Sequence, residues 1–279
     1  MELLCVMAAL AALFLGSAAL TLKARIPAGL APLVTLSCIA AVLTLAGMAG
    51  GLYPAAWALY ALCAVGGVWA LLPPKENKKR YYAQLATPGS VTFWVLALAF
   101  AVYFFVRQPM ATVSDEFSLW ATAVKVTKVD HSLYTTATLG TPWAVTQNPG
   151  LPLISYFFQF LGQYADWKIY LAYDVLFFAV YAAVLSALPW KQWRVAVPMA
   201  AVLWVTPFFF TVYNHTIYLT TVYLSSYGDI PAGLVFGGAV AAWLALRQQN
   251  GPHWAVLPVL ALAANLKAND FVLSLAAAG

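Results

Sequence analysis

The chain has 279 residues, of which 63% are hydrophobic and 8% are charged, and its formal net charge is +5. A mean hydropathy of +0.81 excludes a water-soluble globular domain, in which about half of the residues are apolar. The basic residues lie between apolar runs and not on one folded face, so the positive charge does not indicate nucleic acid binding.

The sequence predicts an all-α, polytopic bundle of about eight transmembrane helices. Its apolar runs of about twenty residues can cross a hydrocarbon core of about 30 Å. The runs must be helical, because lipid-exposed backbone has to satisfy its own hydrogen bonds and the alternation of barrel strands is absent. We place the spans at 3–22, 29–48, 52–72, 91–106, 167–188, 195–212 and 231–247, with the last beginning near 254.

The distribution of charge predicts the orientation of these spans. Every second connection is basic, and together these connections hold nine Lys and Arg: Lys23, Arg25, Lys75, Lys78, Lys79, Arg80, Lys191, Arg194 and Arg247. Cytoplasmic connections are enriched in Lys and Arg. We therefore expect the amino terminus and the long connection at 107–166 to be extracytoplasmic, as in a bacterial inner membrane protein.

Two regions follow from this pattern. Residues 1–90 form an N-terminal three-span region with a basic cytoplasmic loop, and residues 91–279 form the core that carries the 107–166 loop. The chain ends within an apolar stretch, so we expect the sequence to be a fragment with an incomplete C-terminal core.

The 107–166 loop is predicted to contain amphipathic surface helices. Ser114 followed by two acids is a helix start, and Phe117, Trp120 and Val124 then recur at helical spacing, so we expect them to face lipid. Pro-rich turns follow, and the aromatic segment 154–161 is predicted as a second surface helix before the fifth span.

Asp115 and Glu116 are the leading candidates for chemistry. Both acids could simply stabilise a helix N-terminus. Alternatively, the pair could act as a base toward a hydroxyl group, or as ligands of a divalent metal ion at the membrane surface.

This loop resembles the first extracytoplasmic loop of the GT-C glycosyltransferases, which include protein O-mannosyltransferases and lipid A aminoarabinose transferases. The resemblance is carried by DEFSLWATAVK at 115–125 and NPGLPLISYFFQFLG at 148–162, and it covers roughly residues 90–190. The family often has Tyr-Pro-Pro or Lys-Pro-Pro before the second helix, where this chain has Asn-Pro-Gly-Leu-Pro.

The resemblance implies transfer of a sugar from a polyprenyl-phosphate donor to a lipid, glycan or protein outside the cytoplasm. Asp115 matches the acid that the family uses as a base or beside a metal ion, and Glu116 matches the second acid of the pair. The expected partners are the lipid-linked donor and membrane lipid, without nucleic acid.

Other ionisable residues are candidates for substrate binding, each beside a simpler interpretation. Lys125 could meet a lipid diphosphate or be a solvated helix charge. His131 could help to bind a metal ion, shuttle a proton or lie free on the surface, and Arg107 could contact substrate or snorkel at the interface. Asp229 could face the cavity of Asp115 or cap the seventh span.

Lys267 and Asp270 fall within the predicted eighth span, three residues apart on one helical face. Ionisable groups at membrane depth usually face a cavity or each other, so we expect an internal pair and a donor-phosphate contact from Lys267. The same residues, with Asp174, support a competing function, a transporter or lipid flippase with an ion path. A non-catalytic assembly subunit is a third possibility.

Overall fold

The computed structural model describes residues 1–73, 78–112, 115–140, 148–209, 211–213, 219–267 and 274. Most of this part of the chain is helical. The α-helices are α1 (Glu2–Ala24), α2 (Ala31–Met48), α3 (Leu52–Leu71), α4 (Lys78–Ala83), α5 (Pro88–Arg107), α6 (Ala121–Asp130), α7 (Thr136–Leu139), α8 (Gly150–Gln159), α9 (Asp166–Leu185), α10 (Trp193–Phe209), α11 (Asp229–Gln248) and α12 (Val256–Ala264). The short strands β1 (Thr211–Tyr213) and β2 (Leu219–Thr221) pair antiparallel, with Thr211 opposite Thr221.

Six of these helices are long and apolar enough to cross a membrane, which indicates an integral membrane protein. They are α1, α2, α3, α5, α9 and α11. The sixth and eighth predicted spans correspond to shorter helices. Helix α10 has 17 residues and contains Pro198 and Pro207, and the last apolar helix covers only His253–Ala264.

Helix α9 is the centre of the bundle, because 94% of its most apolar window is buried within the protein. Helices α2, α5, α8, α10 and α11 all pack against it. Close approach of α5 depends on Gly89, where a Cβ atom would lie 2.5 Å from the carbonyl oxygen of Ala182 on α9. Small residues allow helix backbones to approach in this way.

Contacts between helix ends show that the helices alternate in direction. At one end of the bundle, Lys168 near the start of α9 pairs with Glu2 at the start of α1, and Asp166 accepts a hydrogen bond of 3.0 Å from the backbone N–H of Ala111, just after α5. At the other end, the Lys23 ammonium lies 4.5 Å from the ring centroid of Trp69. We call these the acidic end and the basic end.

The second helix predicted to lie on the membrane surface is instead internal. All ten residues of α8 are buried, and the helix packs against α1, α2, α6 and α9. The prediction was wrong because the polar side chains of this segment find partners inside the protein. Gln159 donates a hydrogen bond of 3.0 Å to the Ser155 hydroxyl and accepts one of 2.9 Å from the Ala165 N–H, so the polar face of the helix does not need water.

The first loop helix also differs from its prediction. Phe117 is 55% exposed, as expected of a lipid-facing residue, but Trp120 and Val124 are buried against the rest of the protein. Helical spacing therefore identified an apolar face correctly and assigned it to the wrong neighbour. Val124 is on α6, which packs against α8, and the Trp120 ring lies against Gly228.

The two ends of the bundle provide a test of orientation. In a variant whose three native cysteines are replaced, we expect an impermeant maleimide to label Ser132→Cys at the acidic end in intact cells. Lys79→Cys at the basic end should react only after the cells are permeabilised. Labelling of Lys79→Cys and protection of Ser132→Cys in intact cells would mean that the chain is inserted the other way.

Candidate functional site

Four consecutive residues at the acidic end, Ser226 to Asp229, connect the sequence-predicted acids with Lys267. They lie directly before and at the start of helix α11. Ser226 contacts Glu116, Tyr227 contacts Asp115, and the aspartate at the end of the segment pairs with Lys267. Three stretches that are far apart in sequence therefore meet at one place, which we call the 226–229 junction.

Glu116 fixes one side of this junction from the protein interior. The residue is 2% exposed. One carboxylate oxygen, Oε1, accepts hydrogen bonds from the Ser226 backbone N–H at 2.9 Å and from its hydroxyl at 3.0 Å. The other, Oε2, accepts from the Tyr170 hydroxyl at 3.1 Å and from the Thr112 backbone N–H at 3.3 Å. Four donors therefore saturate this buried acid, and its role is to hold the junction together.

Asp115 has the opposite environment, although it is the adjacent residue. It is exposed, and its Oδ2 atom accepts a hydrogen bond of 2.9 Å from the Tyr227 hydroxyl. The chain forms a π-helical turn over Glu116–Trp120, a wider turn that often occurs at functional sites. Of the two predicted acids, only Asp115 is accessible to a substrate.

The Tyr227 phenol donates a hydrogen bond to Asp115 and is also affected by the charge of Glu116. Partial burial, the hydrogen bond to Asp115 and the charges of both carboxylates raise the pKa of Tyr227 to about 12. The phenol therefore stays protonated at neutral pH and continues to donate its hydrogen bond. That bond fixes the orientation of the Asp115 carboxylate.

Lys267 forms an ion pair with Asp229. Both partners are partly exposed, at 39% and 55% of their side-chain surface. Helix α12 ends at Ala264, so Lys267 lies three residues beyond the end of that helix. Asp270 lies outside the described residues.

The end of α12 is set by contacts that the sequence pattern does not reveal. The Asn265 side chain donates a hydrogen bond of 2.7 Å to the Thr44 hydroxyl on α2, and its backbone carbonyl accepts one of 3.0 Å from the Gly150 N–H. A Cβ atom on Gly150 would lie 2.4 Å from that carbonyl oxygen. The Asn-Pro-Gly turn before α8 therefore packs on the end of α12 and helps to position Lys267.

Three other candidates make no described contact with the junction. The Lys125 ammonium lies 5.8 Å from the ring centroid of Tyr164, and Arg107 is exposed at the last residue of α5. His131 Nδ1 is 2.8 Å from the Tyr156 hydroxyl oxygen, and burial lowers the pKa of this imidazole. The structure does not bring these three side chains into contact with Asp115.

The two loop acids do not provide a metal site by themselves. The described part of the chain contains no group of three or more His, Cys, Asp or Glu residues that could hold a metal ion. Glu116 already accepts four hydrogen bonds, so a metal ion there would have to replace protein donors. We therefore derive no chemical step through a metal ion.

Sequence reasoning missed several residues that build the junction. Ser226, Tyr227 and Tyr170 contact the acids, yet each is an ordinary polar residue near a helix end. The polar run Ser-Ser-Tyr-Gly-Asp at 225–229, directly before an apolar helix, was the available signal. The buried Lys168 was also missed, because its partner Glu2 is 166 residues away in sequence.

Gly228 offers a direct test of the packing at the junction. A Cβ atom there would lie 2.6 Å from Cη2 of the Trp120 ring, so we expect Gly228→Ala to destabilise the protein by about 1–3 kcal/mol. Gly233→Ala in α11 is the matched control, because a Cβ at Gly233 meets no atom within 4 Å and alanine favours the helix. Thermal unfolding of both variants measures the difference, and equal melting temperatures would contradict the packing.

The arrangement combines an oriented, accessible carboxylate with an ion-paired lysine at one end of a membrane helix bundle. A carboxylate of this kind can take a proton from a hydroxyl group, and a lysine can bind a phosphate. Comparison with protein-family models, with curated proteins and with solved structures finds no match for this chain.

Proposed function

We propose that this protein is a membrane glycosyltransferase of the GT-C type. It transfers a sugar from a polyprenyl-phosphate donor to a lipid, glycan or protein acceptor at the extracytoplasmic face of a bacterial inner membrane. The observation that carries the proposal is the 226–229 junction. It brings the exposed Asp115 and the Lys267–Asp229 pair onto one short segment at the end of an apolar bundle.

Asp115 is the proposed general base. Tyr227 binds only one of its carboxylate oxygens in the described structure, so the other oxygen can accept a hydrogen bond from an acceptor hydroxyl. The base removes the hydroxyl proton as the acceptor oxygen attacks the anomeric carbon, and the bond from that carbon to the donor phosphate breaks. Glu116 supports this step by holding the backbone in place and does not touch the reacting atoms.

Lys267 is the proposed contact for the donor phosphate. Its ammonium carries three donor hydrogens, and the pair with Asp229 uses one of them, so the others can bind phosphate oxygens. A phosphate leaving group gains negative charge as its bond to the sugar breaks, and a nearby cation stabilises that charge. Placement at the end of the bundle suits a donor whose apolar tail stays in the bilayer.

The competing transporter hypothesis has less support. It needs Lys267 and Asp270 within the membrane, whereas Lys267 lies beyond the end of α12 and pairs with a partly exposed aspartate. Asp115 and the Lys267–Asp229 pair lie at the end of the bundle, whereas a transporter places its site near the midplane, and this favours an enzyme.

Release of polyprenyl phosphate from lipid-linked sugars tests the proposal. The protein, reconstituted in lipid nanodiscs, should consume at least one polyprenyl-phosphate sugar in the presence of an acceptor. Lys267→Gln should raise the KM for the donor, while Lys191→Gln at the basic end should leave it unchanged. Consumption of no donor by the wild type would overturn the assignment.

A further inference from the structure

Helix α4, at the basic end of the bundle, has no core of its own. It contains six residues, Lys78–Ala83, and none of them is buried. An isolated helix shorter than about 12 residues is marginal in water. Three adjacent cations, Lys78, Lys79 and Arg80, also repel one another. The stability of α4 therefore depends on the groups that contact it from outside the helix.

Two tyrosines attach α4 to the end of α3. The Tyr81 hydroxyl donates a hydrogen bond of 2.6 Å to the Ala70 carbonyl oxygen, and the Tyr82 hydroxyl donates one of 2.8 Å to the Leu71 carbonyl oxygen. Carbonyl groups in the last turn of a helix have no donor within that helix. The Tyr81 ring centroid also lies 5.9 Å from the Lys23 ammonium of α1. These contacts fix the position of α4 and its three cations.

The chain that follows α4 is attached as well. The indole N–H of Trp190, in the short turn before α10, donates a hydrogen bond of 2.7 Å to the Ala86 carbonyl oxygen. Trp190, Tyr82 and Trp69 at the end of α3 are all exposed. Exposed Trp and Tyr rings are enriched where a membrane protein meets the lipid headgroups. Helix α4 therefore lies at the level of the membrane surface.

The charge around α4 is of one sign. Its three cations are exposed, and no ion pair among the described residues includes them. The described stretches 3–73 and 78–112 contain no Asp or Glu. Lys75 and Glu76, which lie outside the described residues, cancel each other in charge. The partner that this surface fits is therefore an anion supplied from outside the described chain.

We propose that α4 is a docking site for anionic phospholipids, whose phosphate groups neutralise Lys78, Lys79 and Arg80. A lipid fits better than a free anion, because the exposed aromatic rings hold α4 at the headgroup level, where lipid phosphates are already concentrated. Basic connections also direct the insertion of the chain, and the proposal gives this one a second role in the folded protein. The inference is independent of the glycosyltransferase proposal.

A fluorescent dye on Ala83→Cys, with the three native cysteines replaced, reports binding at α4 itself. Phosphatidylglycerol titrated into mixed micelles of phosphatidylcholine and detergent should raise the anisotropy of the dye and give an apparent Kd. One Lys or Arg near an anionic surface contributes about fivefold to binding. Changing Lys78, Lys79 and Arg80 together to Gln should therefore weaken the apparent Kd by at least about fivefold.

A matched triple change separates a local site from net charge. Lys191→Gln, Arg194→Gln and Arg247→Gln together remove the same charge from the same end and should change the apparent Kd less than about twofold. Equal losses in the two triple variants would overturn the proposal. The α4 side chains are exposed, so the first variant should fold. If it does not, Lys79→Gln alone should still weaken binding, and an unchanged Kd would count against the site.

The attachment of α4 has its own test. Tyr81→Phe combined with Tyr82→Phe keeps every charge and ring but removes the two hydrogen bonds to α3. We expect this variant to bind phosphatidylglycerol more weakly than the wild type, because α4 is no longer fixed. Wild-type affinity would show that α4 is not a fixed site. Inorganic phosphate should not compete with the lipid, and competition at equal phosphate concentration would overturn the choice of a lipid as the partner.

Discussion

Asp115→Asn should reduce turnover of a polyprenyl-linked sugar at least about a hundredfold and leave the protein folded. A positioned base typically contributes about 10²–10⁴ in rate, or about 3–5 kcal/mol of barrier. Asparagine keeps the size of the side chain and can still accept the hydrogen bond from Tyr227, so its structural cost should be about 1 kcal/mol or less. Turnover and thermal unfolding of the same preparation separate these two effects.

Two further variants make this test specific. Asp130→Asn changes another exposed acid of the same loop and should leave turnover unchanged. Tyr227→Phe removes the hydrogen bond that orients Asp115, and we expect a smaller loss of turnover than for Asp115→Asn. Near-normal turnover in Asp115→Asn would exclude this residue as the base.

Glu2→Gln should produce the largest loss of stability among the single changes considered. It leaves the Lys168 ammonium, which has no exposed side-chain surface, without its ionic partner. Removing one member of a buried ion pair typically costs about 3–5 kcal/mol, because an uncompensated charge remains inside the protein. The Lys168 ammonium keeps two hydrogen-bond acceptors in this variant: the Gln163 carbonyl oxygen, 2.6 Å from Nζ, and the amide oxygen of the new glutamine. We therefore expect a loss of stability near the lower limit of this range.

A double change distinguishes the ion pair from other roles of Glu2. Lys168→Met also removes the buried charge, so Glu2→Gln combined with Lys168→Met should be more stable than Glu2→Gln alone. Unfolding in mixed micelles of lipid and detergent provides the comparison. Additive losses in the double variant would show that the two side chains act separately.

The transmembrane framework could be predicted from the sequence because its signal is local. The predicted span 52–72 corresponds to Leu52–Leu71, and 29–48 corresponds to Ala31–Met48. Backbone hydrogen bonding in lipid permits little other than a helix for such runs. The shorter helices α10 and α12 were harder to predict, because α10 contains two internal prolines and contacts with other segments set the end of α12.

The candidate site could be predicted only in part. The sequence singled out Asp115 and Glu116 as a pair but could not show that one is exposed and the other buried, because Ser226 and Tyr170 come from distant segments. The partner of Lys267 was missed for the same reason. Helical spacing favoured Asp270, which lies outside the described residues, and the pair of Lys267 with Asp229 joins segments that are far apart in sequence.

The central position of α9 has a consequence for how this protein can change in evolution. Only 28% of the most apolar window of α3 is buried, against 94% for α9. Residues of α3 that face lipid can exchange with one another so long as they remain apolar. Each residue of α9 instead has a defined set of neighbours, and several of them are polar. In a set of homologous sequences, the residues of α3 should therefore vary widely among apolar types. The residues of α9 should be conserved individually, including Lys168 and Asp174.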